Sequence, residues 1–305
     1  MRILFLGAGA LGGYFGGRMA AAGADVTFLV RARRASQLAE GLKIRSPLGD
    51  ATVAVSTIRA GDSAEPFDII VLTNKAYGLE GALEAVAPFV TPRTAILPLL
   101  NGIAHYDAID ARFPDAVQLG GVAQIPANLT SDGVVSHNGK LQSMLVGPRR
   151  GGPGDMAEAF VAAAEAGGID AKISDDIEQE LWDKWVFLAT LAAATTLTGS
   201  NIGAIMETDY GQDAVLGLLA EATAVSKAAD RLPAENKMSF YRGQLTKPGS
   251  PFKASMQHDI EAGNPTEAAH IIGDMIRRGA DLNVATPLLK TALTRLQVYE
   301  AARTS

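Results

Sequence analysis

Ile3-Leu4-Phe5-Leu6 is an apolar run that leads without a break into Gly7-Ala8-Gly9-Ala10-Leu11-Gly12. No other stretch of the chain constrains its fold so tightly. In a strand–turn–helix unit with this spacing, Gly7 makes the tight turn and Gly9 lets the backbone approach a pyrophosphate. Gly12 lets the helix pack closely on the strand, and the helix N-terminus faces the phosphate charge. A helical pattern of Leu11, Phe15 and Met19 follows and closes at Gly23. The alternative is a glycine-rich packing turn with no ligand. The strand before the glycines and the helix after them favour a dinucleotide-binding turn.

A second strand, Ala24 to Val30, ends about 20 residues past the glycines, where an NAD enzyme usually carries Asp or Glu for the ribose 2′-hydroxyl. This chain has Arg31, then Arg33 and Arg34. A carboxylate would repel a 2′-phosphate, whereas a guanidinium grips one with paired hydrogen bonds. NADPH is therefore expected in preference to NADH. A solvated basic loop is the competing reading of the three arginines.

At 305 residues the chain has room for two domains, each with its own core. Its 27 Lys and Arg against 33 Asp and Glu leave a net charge of −6, which does not favour a nucleic-acid partner. With no cysteine, disulfides, thiolate catalysis and cysteine-ligated zinc are excluded. His105, His137, His258 and His270 show no metal-ligand spacing, so each is expected at the surface or in a hydrogen bond. No apolar run reaches the ~18 residues of a membrane span. The N-terminal apolar residues belong to the first strand rather than to a signal peptide, and a cytoplasmic protein is expected.

Strands alternate with helices through the first half. Further strands are expected near Ala51–Ser56, Phe67–Thr73 and Thr94–Leu99, with a helix from Tyr77 to Val90. Val117–Pro126, Gly133–Ser136 and Ser143–Gly147, separated by Asp-Gly and Asn-Gly turns, read as antiparallel strands added to the same sheet. A helix from Met156 to Ala166 and a strand at Ala171–Ile173 complete an α/β domain spanning 1–174. From Asp175 the patterns are helical to the end, with Asp175 and Glu178 as a capping pair for a long first helix. The predicted fold class is thus α/β followed by all-α, with domains 1–174 and 175–305.

Reduction of a carbonyl needs a proton donor at the developing oxyanion. Lys184, in Trp182-Asp183-Lys184-Trp185, approaches the most apolar helix of the chain. It reads either as such a donor or as a snorkelling side chain paired with Glu180 or Asp183. The residues alone leave both open.

With these elements in place the chain resembles the ketopantoate reductase family over essentially its full length. The resemblance implies a Rossmann-type domain and a helical domain similar to that of 6-phosphogluconate dehydrogenase. It implies that Gly7 to Gly12, Arg31 and Lys75 serve an NADPH site, and that Asn101, before Gly102, lies beside the nicotinamide and substrate. Lys184 falls on the family's catalytic lysine, Ser255 on its substrate-binding serine, and Glu267 on its active-site glutamate. The activity implied is reduction of a 2-oxo acid such as ketopantoate to its 2-hydroxy acid, with a place in pantothenate biosynthesis. Glu267 would hold the Lys184 ammonium at its ordinary pKa. Read as local structure, Ser255 is also a candidate N-cap and Glu267 a helix-start carboxylate.

One departure stands out. The family places asparagines four and eight residues after the lysine, and this chain has Leu188 and Ala192 there. A more apolar 2-oxo acid than ketopantoate is the resulting expectation. Two other readings are weighed: a 3-hydroxy acid dehydrogenase with the same domain plan, and a non-catalytic NADPH-binding sensor. The spacing of Ser255 and Glu267 argues against the first, and the retained Lys184, Glu267, Ser255 and Asn101 against the second. The alanine-rich helical domain can pair with a second copy as a homodimer or pack on itself.

Overall fold

The computed structural model describes residues 1–304. The chain forms two compact units, the first from Met1–Leu100 and Tyr106–Glu178, the second from Asn101–His105 and the chain from Gln179 on. The change of unit thus falls after residue 178 rather than at 174, and a five-residue excursion at 101–105 joins the helical unit. No periodicity in the sequence marks that excursion.

The first unit contains strands β1 (Arg2–Leu6), β2 (Asp25–Leu29), β3 (Leu42–Arg45), β4 (Ala51–Val53), β5 (Ser56–Ile58), β6 (Ile69–Leu72), β7 (Ala95–Pro98), β8 (Val117–Gln124), β9 (Ala127–Leu129), β10 (Val135–His137), β11 (Ser143–Pro148) and β12 (Asp170–Ile173). Its helices are α1 (Ala10–Ala21), α2 (Ala32–Leu38), α3 (Leu79–Val86), most of α4 (Ala104–Arg112) and α5 (Asp155–Ala166). Eight strands form one sheet in the order β12-β11-β8-β7-β6-β1-β2-β5. Its pairs are parallel except β11 with β8.

The strands at the centre are apolar along their whole length because helices cover both faces. In β1, Ile3 and Phe5 join Tyr14, Phe15 and Met19 of α1 and Phe160 of α5 in one core. Leu4 and Leu6 point the other way, into a second core with Leu83 and Val86 of α3 and Ile109 of α4. The two-residue period of a strand thus divides one apolar run between two layers. Each of these fully buried side chains contributes roughly 1.5–3 kcal/mol. β1 has β2 on one side and β6 on the other, so the strand order reverses at its carboxyl end, where dinucleotides bind in such sheets.

Val135–His137 departs from expectation. It lies in a separate four-stranded sheet, β4-β3-β10-β9, parallel to β3 and antiparallel to β9. Helix α1 packs against this sheet through its glycine pairs. A Cβ on Gly17 would lie 2.6 Å from Leu42 and one on Gly13 2.8 Å from Val135. Arg33 and Arg34 lie on α2 rather than in the loop of the competing reading.

Among its described residues the second unit has helices and connecting turns but no strand. It holds α6 (Ile177–Thr198) from Gln179 on, α7 (Ile202–Met206), α8 (Gly211–Ala228), α9 (Glu235–Leu245), α10 (Ser255–Glu261), α11 (Asp274–Asp281) and α12 (Pro287–Thr304). Leu181, Trp185, Val186, Ala189 and Leu191 of α6 are buried. Thr190, Thr195 and Thr196 are wholly buried too, and each hydroxyl donates to the carbonyl four residues earlier, which satisfies it inside an apolar core. A π-helical segment, Ala269–Gly273, runs directly into α11.

Candidate active site

The two units carry different kinds of functional group. In the first, the groups belong to the backbone. Gly7 follows β1 with φ of +93°, and its amide donates to the Leu29 carbonyl at 2.9 Å. Only glycine adopts that conformation without strain. Gly12 has no room for a side chain, since a Cβ would lie 2.4 Å from both the Gly7 carbonyl oxygen and the Thr73 hydroxyl. Thr73 in turn donates to the Leu6 carbonyl at 2.8 Å, locking the end of β6 to the end of β1. Gly9 differs from both, because the space where its Cβ would be is open. It occupies the N-cap of α1, which begins with no side-chain cap. An open, uncapped helix N-terminus at the switch point of a parallel sheet suits a pyrophosphate.

The three arginines separate. Arg34 is drawn inward, donating through Nε to the Ala8 carbonyl at 2.8 Å and through Nη1 to the Gly133 carbonyl at 2.8 Å. Burial lowers its pKa. It braces the glycine turn from behind. Arg31, at the N-cap of α2, and Arg33 are exposed, so they are the two left to meet a ligand. Lys75 is half-buried at the start of the 3₁₀ turn Ala76–Gly78 that follows β6.

In the second unit the groups are side chains. Lys184 is half-buried on α6, and its sequence neighbours Trp182 and Trp185 pack on each other with ring centroids 5.0 Å apart. Burial lowers its pKa to about 8, against the opposing pull of the Glu267 carboxylate. The ammonium is therefore tuned as well as held, which corrects the expectation of an ordinary pKa. Glu180 and Asp183, the partners its competing reading required, both bind Lys237, with Nζ–O distances of 2.8 and 2.6 Å. Glu267 is only 6% exposed and precedes the π-helical segment. Ser255 is exposed at the first position of α10, and Ala254 takes the N-cap, so the hydroxyl is not that helix's cap.

Asn101 and Gly102 belong to this second unit, with Gly102 at φ of +75° against the ring of His270. Leu188, one turn beyond Lys184, is half-buried, while Ala192 is 3% exposed. Of these two, Leu188 offers the surface a ligand could touch. Lys184, Glu267, Ser255 and Asn101 thus lie in the second unit, and Gly7 to Gly12, Arg31 and Lys75 in the first. His105 and His270, each expected at the surface or in a hydrogen bond, are bonded to one another, a pairing the sequence did not reveal. They stand four residues after Asn101 and three after Glu267.

This combination defines an oxidoreductase with a Rossmann-type domain and a helical second domain. Residues 3–151 match the family described as Ketopantoate reductase PanE/ApbA, and residues 176–300 match its C-terminal domain. The chain is 35% identical over 306 residues to an uncharacterized oxidoreductase, YkpB, of Bacillus subtilis strain 168, covering 99% of this chain and 100% of the relative. Its fold matches the crystal structure of 2-dehydropantoate 2-reductase from Methylococcus capsulatus, with TM-score 0.90, 28% identity and coverage of 100% and 98%. It also matches the fold of a D-mandelate dehydrogenase solved with NADH and anilino(oxo)acetate, with TM-score 0.89, 23% identity and full coverage of both chains. The chain belongs to the ketopantoate reductase PanE/ApbA family.

Proposed function

We propose that this protein uses NADPH to reduce a 2-oxo acid to the 2-hydroxy acid. The observation that carries the reading is the Lys184–Glu267 pair, a tuned ammonium and a buried carboxylate, in a member of a reductase family. Family membership supports a nicotinamide dinucleotide as cofactor. The exposed Arg31 and Arg33, at the end of β2 where a carboxylate would suit NAD, support NADPH.

Bound at the glycine turn, NADPH supplies the hydride that carbon 2 of the substrate accepts. Lys184 donates a proton from Nζ to the oxygen that becomes an alkoxide. A pKa near 8 keeps the donor mostly protonated at neutral pH yet eases release of the proton. Glu267 favours the ammonium and orients it. Ser255 binds the substrate carboxylate through its hydroxyl, and Asn101 bridges substrate and nicotinamide ribose. Both roles come from the family resemblance. Leu188, in place of a family asparagine, presents hydrocarbon where ketopantoate's hydroxyl would find an amide. The preferred substrate is accordingly a 2-oxo acid with an apolar side chain.

The test is NADPH oxidation by the purified protein against ketopantoate and a panel of branched and aromatic 2-oxo acids. Turnover with an apolar member at higher kcat/KM than with ketopantoate supports both parts of the proposal. A preference for ketopantoate removes the substrate assignment and leaves the reductase. Tight NADPH binding without turnover of any member favours the sensor.

A further inference from the structure

The Asn101–His105 segment is organised around one imidazole that the proposed reaction does not use. The His270 ring is hydrogen-bonded to the Asn101 backbone, and its Nε2 lies 3.1 Å from Nδ1 of His105. The two rings stack with centroids 5.3 Å apart and planes 18° from parallel. Between these anchor points Gly102 takes a left-handed conformation, and a Cβ there would lie 3.2 Å from Cδ2 of His270. The loop thus lies against the ring with almost no clearance. His105 is wholly buried, so this end of the segment is fixed in the interior.

His270 is carried by the π-helical segment Ala269–Gly273. Such segments disturb the regular helical ladder and are frequent at functional sites. Here the Ile271 carbonyl accepts a hydrogen bond of 3.0 Å from Trp185 Nε1, on the residue next to Lys184. Glu267, three residues before His270, acts on Lys184 and on His270 alike. The short stretch from Glu267 to Ile271 therefore reaches Lys184 by charge, α6 through the Ile271 carbonyl that accepts from the Trp185 indole, and the Asn101 loop by an imidazole.

We infer that His270 is a positioning residue which, together with His105, fixes the Asn101–Gly102 loop relative to the Glu267–Lys184 pair. The inference rests on the 2-oxo acid reductase reading and gives His270 no proton transfer to substrate. A neutral imidazole carries one N–H and one lone pair, so it can donate to one neighbour and accept from another, which matches its contacts with the Asn101 backbone and with His105. Burial favours that neutral form against the pull of the Glu267 and Asp274 carboxylates. Releasing the loop would shift Asn101 while leaving the lysine and the glycine turn in place. A misplacement of about 1 Å at a reacting centre can lower rate by about 100-fold.

The experiment compares His270→Leu with His270→Gln in the full-length protein. Leucine fills the space but removes both bonds, whereas glutamine keeps a donor and an acceptor. The first readout is hydrogen exchange of the 101–105 amides, which needs no substrate. Exchange in the leucine variant is expected to speed up by about tenfold or more, and to stay near wild type in the glutamine variant. The second readout is kinetic. With leucine, kcat is expected to fall by about tenfold or more, with a smaller loss of NADPH affinity through Asn101, and glutamine restores most of both. If the leucine variant does not fold, His270→Asn replaces it, since its shorter amide cannot span both bonds. Unchanged exchange and kcat in the leucine variant, or a glutamine variant as impaired as leucine, overturns the inference. If the wild type reduces no 2-oxo acid, the functional reading fails and exchange decides alone. Loosening confined to 101–105 sustains the anchoring, and unchanged exchange overturns it.

Discussion

In the first unit the groups we propose to meet the cofactor are backbone positions set by six consecutive residues, Gly7 to Gly12. In the second the proposed groups are side chains carried by α6, α10 and the stretch from Glu267, separate segments of the chain. The difference bears on robustness. A backbone site depends on what is absent, namely the Cβ atoms that Gly7 and Gly12 lack. A side-chain site depends on its surroundings, as the burial and the Glu267 charge that set Lys184 show. Substitutions should therefore fail in different ways, the first unit losing cofactor affinity and the second losing rate.

The largest effect that would sharpen this contrast is at Glu267. Glu267→Gln removes the charge that raises the Lys184 pKa but leaves the burial that lowers it. In the wild type, kcat should fall as pH rises through about 8, as the ammonium is lost. In the variant that alkaline limb should move to lower pH. At pH 7.5, kcat is expected to drop by about 100-fold, with NADPH affinity unchanged. A limb that stays near 8 would show that the carboxylate does not act on the lysine.

Gly12→Ala comes next. Its Cβ would lie 2.4 Å from the Gly7 carbonyl, so the turn must open. NADPH Kd is expected to rise by about tenfold or more, together with a loss of about 1–3 kcal/mol in stability, as for other overpacked sites. Fluorescence titration and thermal melting would measure the two effects. Wild-type affinity would break the assignment of the turn.

The arginines offer a subtler division. Arg34→Met removes the brace on Ala8 and should weaken NADPH and NADH equally. Arg31→Ala should weaken NADPH alone, by about tenfold, in line with one lost charge-assisted contact of roughly 1.5 kcal/mol. Equal loss of both cofactors at Arg31 would argue against a 2′-phosphate role. The smallest effect expected is at Leu188→Asn, which should shift kcat/KM toward ketopantoate relative to an apolar 2-oxo acid by severalfold to about tenfold.

Much of the first unit was legible in the sequence because its signals are local. An apolar run, a glycine turn and a helical period all lie within some 20 residues, and the order of strands and helices follows from repeats of the same pattern. The second sheet was not legible. Val135–His137 is a short strand whose partner, β3, lies far back in the chain, and nothing local distinguishes joining one sheet from joining another. The second unit behaved likewise. Its helices announced themselves by period, yet residue chemistry alone left Lys184 open between a donor and a surface ion pair. Only the fold shows Glu180 and Asp183 bound by Lys237. The 101–105 excursion and the His105–His270 pair escaped for the same reason, since both depend on residues far apart in the chain.

The central claim is that Lys184 supplies the proton in an NADPH-dependent reduction. Its most direct test is kcat for Lys184→Ala at neutral pH with the best 2-oxo acid substrate, alongside the NADPH Kd of the same preparation. The account expects a loss of about 100-fold or more in kcat with Kd unchanged within about twofold. A variant that binds NADPH and turns over at the wild-type rate would contradict it.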